Sequence, residues 1–230
     1  MKLQNFGYGL AGILLAAVTA CAPPQTETPS ASSQNTKPEN AASDTSGSST
    51  EAQNYSTQQS VPETKTAQIS IEGETSEIEL QRFVSESSPF ITYFPAEDFT
   101  PELASLGEGE GDRFYFSPTG APNRDAYVQV VFPEDISNAA AVQELVLGNK
   151  GLFAANNWEE ISRNSSTPYA WAVEEVVYEQ DTEAETYTGV VYIGEQNGEA
   201  FYVVTHAPIE YGDGFGPRAN VILENLEVTN

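Results

Sequence analysis

The fold is decided by residues 188–205, TGVVYIGEQNGEAFYVVT. Two runs rich in β-branched and aromatic residues, 188–194 and 199–205, flank Asn197-Gly198, the dipeptide preferred in two-residue hairpin turns. Each run is apolar at successive positions, so both faces of each strand need cover. This pattern predicts a central antiparallel hairpin with helices on each face of its sheet.

The sequence on either side of the hairpin predicts two helices, a loop and further strands. One helix begins at Ser137, a good N-cap residue, and runs to Leu147. The other is the run 219–225, which follows Pro217, a residue well placed as the first of a helix. Residues 107–112, GEGEGD, are predicted to form a flexible acidic loop. The other predicted strands are 68–72, 77–84, 90–94, 113–116, 126–132, 158–162, 169–179 and 226–228. Together they predict one α+β domain over residues 67–230, an antiparallel β-sheet with helices packed on both faces.

The order of these elements resembles a known fold family. Pro208 ends the second hairpin strand, and an aromatic–glycine linker over 211–216 leads to a short helix and a terminal strand. With Tyr93-Phe94-Pro95 early in the domain, the pattern over 90–230 resembles the PsbP-type α/β/α sandwich. That fold is shared by the PsbP subunit of photosystem II, its bacterial lipoprotein relatives and the Mog-type Ran-binding proteins. The resemblance implies a mostly non-enzymatic binding or assembly role, and no metal-ligand set of the family can be placed here.

Residues 1–20 have the pattern of a secretory signal. Lys2 precedes an apolar run over 6–18, which is 13 residues long and too short for a membrane span of about 20 residues. The run ends in Val18-Thr19-Ala20, followed by Cys21, the only cysteine of the chain. This motif resembles the lipobox of bacterial lipoproteins, which implies cleavage before Cys21 and attachment of lipid to its sulfur.

Residues 21–66 are predicted to form a lipidated, disordered tether. The stretch is rich in Ser, Thr, Pro and Gln, and Tyr55 is its one aromatic residue. Such a composition buries too little apolar surface to offset the entropy of ordering the chain. The expected location is therefore the extracytoplasmic face of a bacterial membrane, in the periplasm or on the cell surface, with the membrane bound through the lipid anchor.

The net charge of −25 restricts the possible partners. After residue 66 the chain holds 29 Asp and Glu residues against six Arg and Lys residues. Because such a surface repels phosphate backbones, nucleic acid is excluded as a partner. A cationic partner or divalent ions would fit the charge, and so would solubility alone.

Two acidic clusters are candidate calcium sites: Glu108, Glu110 and Asp112, and Asp181, Glu183 and Glu185. Alternating carboxylates can supply several of the hard oxygen ligands that calcium prefers. Neither cluster has the twelve-residue loop with a glycine at position six and a closing glutamate. Ordinary solvated charge is the alternative interpretation, and no cofactor other than calcium is predicted.

No catalytic residue is assigned. His206, the only histidine, ends a predicted strand and would be the candidate base of an envelope enzyme that also uses carboxylates. The chain lacks the Gly-x-Ser-x-Gly elbow of serine hydrolases and the phosphate-binding Gly-x-x-x-x-Gly-Lys motif. A structural histidine at a strand end is the alternative interpretation.

Residues 211–218 supply the candidate recognition loop, with Tyr211, Asp213, Phe215 and Arg218 as its contact residues. A hydrophobic plug under the last helix is the alternative for the two aromatic residues. The leading expectation is a non-catalytic binding or accessory protein that associates with a membrane or envelope complex through an unknown protein partner.

Overall fold

The computed structural model describes residues 61–105 and 109–229. The predicted signal peptide, Cys21 and most of the predicted tether lie outside these residues. The described elements are β1 (Thr64–Ile71), β2 (Glu74–Val84), β3 (Phe90–Phe94), β4 (Phe99–Ser105), β5 (Gly109–Phe116), β6 (Tyr127–Pro133), α1 (Ala139–Leu147), α2 (Leu152–Asn156), β7 (Glu159–Asn164), β8 (Ala172–Asp181), β9 (Thr186–Gln196), β10 (Glu199–Pro208), a 3-10 turn (Ile209–Tyr211), α3 (Gly212–Glu224) and β11 (Glu227–Val228). Thus β1 begins three residues before the predicted domain start at 67.

The strands form two antiparallel sheets. One has four strands in the order β1-β2-β3-β11, and the other has seven in the order β4-β5-β6-β10-β9-β8-β7. Strand β11 follows α3 and pairs with β3, through Glu227 opposite Ile91 and Val228 opposite Phe90. The chain therefore returns to the smaller sheet after it has built the larger one.

The hairpin predicted from residues 188–205 is confirmed as β9 and β10. Gln196 pairs directly with Glu199, so the turn consists of Asn197 and Gly198 alone. Both turn residues have positive φ, 56° and 88°, the backbone conformation for which Asn-Gly is preferred. The two strands lie next to each other inside the seven-stranded sheet.

Both faces of this hairpin are buried, by different elements. On one face Val191 and Tyr202 pack with Val142 and Val146 of α1. On the other face the core contains Val203, Phe90 and Phe94 of β3, and Ile222 and Leu223 of α3. Aromatic rings join the two sheets: the Phe83 and Phe114 centroids are 4.9 Å apart, and those of Phe90 and Phe132 are 6.0 Å apart. Each fully buried side chain of this size contributes about 1.5–3 kcal/mol to stability.

The predicted arrangement, a single antiparallel sheet with helices packed on both faces, is wrong. A second antiparallel sheet supplies much of the cover for the larger one, and strands predominate among the described elements. The apolar pattern of β9 and β10 does require cover on both faces. It contains no information on whether a helix or another sheet provides that cover.

Two local predictions are also wrong. Residues 212–216 are not a linker, because α3 begins at Gly212 and Pro217 lies inside the helix. The predicted loop over 107–112 is a strand from Gly109 onward. There, a Cβ on Gly111 would overlap the carbonyl oxygen of Val130 in β6, so this glycine permits close strand packing.

Helix α1 begins one residue later than predicted. Its N-cap is Asn138, whose Oδ1 accepts a hydrogen bond from the backbone N–H of Ala141 at 3.0 Å, and Gly148 is the C-cap. In the described part of the chain, no helix is long and apolar enough to cross a membrane.

Candidate functional site

Strand register places four residues in a row across the larger sheet. Tyr127 of β6 lies opposite His206 of β10, His206 lies opposite Gly189 of β9, and Gly189 lies opposite Tyr178 of β8. Directly opposed residues of antiparallel strands project from the same face. The row therefore consists of a phenol, an imidazole, a position without a side chain and a second phenol.

Gly189 leaves the space that Tyr178 needs to reach His206. The Tyr178 Oη lies 2.9 Å from Nδ1 of His206 and 3.1 Å from the carbonyl oxygen of Thr205. A Cβ on Gly189 would lie 2.6 Å from the same Oη and 2.7 Å from Cζ of Tyr178. The hydrogen bond between Tyr178 and His206 therefore depends on the glycine between them.

Aromatic rings surround this hydrogen bond. The Tyr187 and Tyr127 rings stack on His206 with centroids 4.8 Å and 5.1 Å away. The Trp158 ring stacks on Tyr178 at 4.0 Å, with 14° between the planes. Trp158 follows Asn157, the left-handed residue that ends α2, so the turn after this short helix sets its position. His206 is only 8% exposed.

The environment of His206 keeps its imidazole neutral. Burial lowers the pKa of His206 from 6.5 to about 4, and the positive charge of Arg113 lowers it as well. The hydrogen bond to Tyr178 fixes the ring orientation. Among the described side-chain hydrogen bonds of His206, none involves a Ser, Cys, Asp or Glu, so the geometry presents no nucleophile–base pair there.

Arg113 of β5 lies next to this aromatic cluster and is held by neutral groups. Its Nε donates to Oε1 of Gln129 at 2.9 Å, its Nη2 donates to the same oxygen, and its Nη1 lies 3.3 Å from the Tyr115 Oη. The guanidinium carbon sits 4.2 Å from the centroid of the Tyr127 ring. Gln129, directly opposite Arg113 in β6, is buried. The guanidinium is therefore fixed in place by neutral groups.

A cavity of about 240 Å³ opens beside Arg113, between strands β5, β6 and β10 and helix α2. We call it the Arg113 pocket; its lining residues are Arg113, Tyr127, Gln129, Leu152, Ala155, Asn156, Trp158, Tyr202 and Val204. It combines one cation, aromatic walls and amide groups. Such a combination of apolar surface with a few fixed polar groups is typical of small-molecule sites.

The predicted recognition residues lie elsewhere, around the start of α3. Phe215 is buried between Phe99 and Phe116, with ring centroids 6.1 Å and 5.7 Å away, and it lies within α3 rather than beneath it. Arg218 forms a 2.8 Å ion pair with Asp98. Tyr211 and Asp213 are exposed, and contact by these two residues with a partner stays a prediction.

The two acidic clusters differ in their surroundings. Asp112 is buried and accepts a 2.6 Å hydrogen bond from Ser85; burial raises its pKa, and this hydrogen bond opposes the rise. Glu110 and Asp181 are exposed, as are Glu183 and Glu185, and Glu108 lies outside the described residues. Within residues 61–105 and 109–229 no group of three or more His, Cys, Asp or Glu side chains is arranged to hold a metal ion. Calcium binding stays a prediction from the sequence.

Sequence reasoning did not single out the residues of the Arg113 pocket. Arg113 and Gln129 come from strands that the sequence does predict, but nothing in a strand pattern says which strands become neighbours. One signal was present: Tyr127 and Gln129 alternate with the buried Val128 and Val130, so both must lie on the opposite face of β6 from these valines.

The fold and the pocket define a two-sheet antiparallel domain that contains a small polar–aromatic cavity beside a buried histidine. No protein-family model and no curated protein matches the chain. Among solved structures, cyanobacterial PsbP from Synechocystis sp. PCC 6803 is 11% identical with a TM-score of 0.45, covering 65% of this chain and 92% of that one. LpqN, involved in cell envelope biogenesis of Mycobacterium tuberculosis, is 14% identical with a TM-score of 0.40, covering 66% and 92%.

A Bacteroides thetaiotaomicron VPI-5482 protein is also similar, at 16% identity and a TM-score of 0.41. The match covers 65% of this chain and 48% of that protein, about half of its length. One of these three neighbours is a PsbP protein, the family that the sequence resembles. Because all three TM-scores lie below 0.5, the function has to be argued from the chain's own residues.

Proposed function

We propose that this chain is a lipid-anchored, extracytoplasmic binding protein of a bacterial membrane, and that its domain holds a ligand without catalysing a reaction on it. The observation that carries the binding role is the Arg113 pocket, in which a fixed cation faces a small cavity. The adjacent His206 is neutral, buried and hydrogen-bonded to Tyr178. A residue in that state stabilises the wall of a site and is poorly matched to general base catalysis near neutral pH.

Preorganisation supports binding at this pocket. The Arg113 guanidinium is held by Gln129 and by the Tyr127 ring before any ligand arrives. Immobilising a flexible side chain at an interface costs about 0.5–1.5 kcal/mol. Because Arg113 is already immobilised in the folded protein, ligand binding does not bear that cost. A ligand therefore meets a donor group that already points in a defined direction.

The predicted anchor and tether support an accessory role at a membrane. Each buried methylene of an acyl chain contributes about 0.8 kcal/mol, and two or more chains give stable anchoring. A coil of about 45 residues, the length of the tether after Cys21, reaches roughly 35–40 Å. Since the domain is strongly acidic and anionic headgroups repel it, the tether would let it search for a partner near the membrane.

The anchor is tested by replacing its cysteine. In a bacterial host fed with alkyne-palmitate, we expect the wild-type chain to carry the label and to sediment with membranes, and Cys21→Ser to lose both properties. Ser46→Ala, in the predicted tether, is the matched control and should behave as wild type. Label on the Cys21→Ser chain would contradict the proposed anchor.

The accessory role is tested by crosslinking tagged full-length chain in native membranes, followed by mass spectrometry. We expect proteins of one complex to recur, and Tyr211→Ala to reduce their yield if the exposed start of α3 is the contact. Thr119→Ala, on an exposed turn, serves as the control. An absence of recurrent partners from lipidated, folded protein would count against the accessory role and leave ligand binding as the function.

A further inference from the structure

We infer that the Arg113 pocket binds a small carboxylate, with the guanidinium on its two oxygens and its apolar part against the aromatic walls. This inference rests on the proposed binding function and names the ligand class of the same site. Three observations carry it: Arg113 has no carboxylate partner within 4 Å among the described residues, two of its N–H donors are unused, and the cavity beside it is small.

Arg113 differs from every other arginine of the described residues in lacking a carboxylate partner. Each of the other four has a carboxylate oxygen within 4 Å; the pairs are Arg82–Glu63, Arg124–Glu102, Arg163–Glu160 and Arg218–Asp98. Arg113 lacks such a partner in the described part of the chain even though the chain contains 29 Asp and Glu residues after residue 66. Glu102 lies opposite Arg113 in the register of β4 and β5, but its carboxylate is bonded to Arg124. The charge of Arg113 is therefore available to a carboxylate from outside.

The hydrogen bonds of Arg113 leave two of its N–H donors unused. A guanidinium has five N–H groups, and the bonds to Gln129 and Tyr115 use three of them. One N–H on each of Nη1 and Nη2 remains, and these two donors can bond the oxygens of a carboxylate. Gln129 is neutral, so it orients the guanidinium without cancelling the positive charge of Arg113.

Charge and size narrow the ligand class further. A single cation in a strongly acidic domain suits a monovalent anion better than a phosphate dianion. The negative potential of the domain's acidic residues repels a dianion twice as strongly as a monoanion. The cavity of about 240 Å³ is smaller than the 300–1,000 Å³ of drug-sized ligand sites. The Tyr127 and Trp158 rings in its wall favour a ligand with a flat or apolar part.

The two tryptophans of the chain provide the readout. Trp158 lines the pocket, whereas Trp171 is buried in the core on the opposite face of the sheet, with its Nε1 bonded to the Leu223 carbonyl at 3.2 Å. Lipidated full-length chain with ¹⁵N-labelled tryptophan gives two indole resonances, which Trp158→Phe assigns. The probes are benzoate, its uncharged analogue benzamide and phenyl phosphate, titrated at constant ionic strength.

We expect benzoate to shift the Trp158 resonance saturably and to leave that of Trp171 in place. Benzamide should bind at least about tenfold more weakly, since charge-assisted hydrogen bonds are worth roughly a tenfold to hundredfold change in Kd. Arg113→Gln should weaken benzoate binding by a similar factor. Arg113→Lys keeps the positive charge but loses the planar guanidinium, so its affinity for benzoate should lie between those of wild type and Arg113→Gln. Arg163→Gln, which removes an arginine that is paired with Glu160 and does not line the pocket, should bind as wild type.

Other results would overturn the inference in distinguishable ways. Benzamide or phenyl phosphate binding as tightly as benzoate would show a binding pocket with a different ligand class. Benzoate binding that is unchanged in a folded Arg113→Gln variant, with a wild-type melting temperature, would remove Arg113 from recognition. If no probe moves the Trp158 resonance, the carboxylate assignment is wrong, while lipid labelling and membrane crosslinking decide the proposed function separately.

Discussion

Gly189→Ala is expected to lower the free energy of unfolding by about 2–4 kcal/mol. The added Cβ would overlap the Thr205 carbonyl oxygen and approach the Tyr178 Oη to 2.6 Å. Overpacking a buried position costs about 1–3 kcal/mol, and displacing Tyr178 also breaks its buried hydrogen bond to His206, worth about 1 kcal/mol. Both effects act at one position in the middle of the larger sheet, where the backbone cannot shift without disturbing β8 and β10.

Urea unfolding followed by circular dichroism measures the change, with Gly216→Ala as the matched control. Gly216 lies in α3, and a methyl group added there would meet no atom within 4 Å, so alanine should be neutral or stabilising by up to about 1 kcal/mol. A loss below about 1 kcal/mol in Gly189→Ala would show that Tyr178 can move aside, and that the row of side chains across the sheet is not tightly packed.

The hairpin was predictable because its determinants are local. The turn residues Asn197 and Gly198 lie between the two strands that they join, and the pairing of Gln196 with Glu199 follows from a two-residue turn. The register of all ten pairs in β9 and β10 is then fixed. No information from the rest of the chain is needed.

The cover of that hairpin was not predictable, because it comes from distant segments. Phe90 and Phe94 reach the core from β3, a strand that lies far earlier in the chain than β10 and belongs to a separate sheet. Proline prefers the first position of a helix, which predicts that the helix starts at Pro217, yet α3 begins at Gly212. Phe215, within this added turn, is buried against two rings of the core. Tertiary packing of one aromatic ring outweighs the low helix propensity of three glycines.

The site was missed for the same physical reason. Arg113 and Gln129 meet only because β5 pairs with β6, and His206 joins them only because β10 pairs with the other edge of β6. The sequence did indicate that His206 ends a strand without a partner histidine or cysteine. What it does there depends on Gly189 and Tyr178, which come from two further strands.

The single histidine makes the protein sensitive to acid in a way that can be measured directly. The pKa of His206 is about 4 in the folded protein and 6.5 in an unfolded chain, so between these values the unfolded state binds the extra proton. The stabilisation from neutral His206 is fully present above pH 6.5 and is lost as the pH falls toward 4. We expect wild type to lose about 2–3 kcal/mol more than His206→Gln between pH 7 and pH 4.5.

Two features make this comparison specific to His206. Asp112, whose raised pKa acts in the opposite direction, is present in both proteins, so its contribution cancels in the difference. The tyrosines that stack on or hydrogen-bond to the imidazole, Tyr127, Tyr178 and Tyr187, have raised pKa values and stay neutral between pH 4.5 and 7. Because the chain has one histidine, its Cε1–H resonance also reports the titration without assignment. A midpoint near 6.5 in the folded protein, or equal acid sensitivity of His206→Gln, would mean that water reaches the ring and that the aromatic wall of the Arg113 pocket is open.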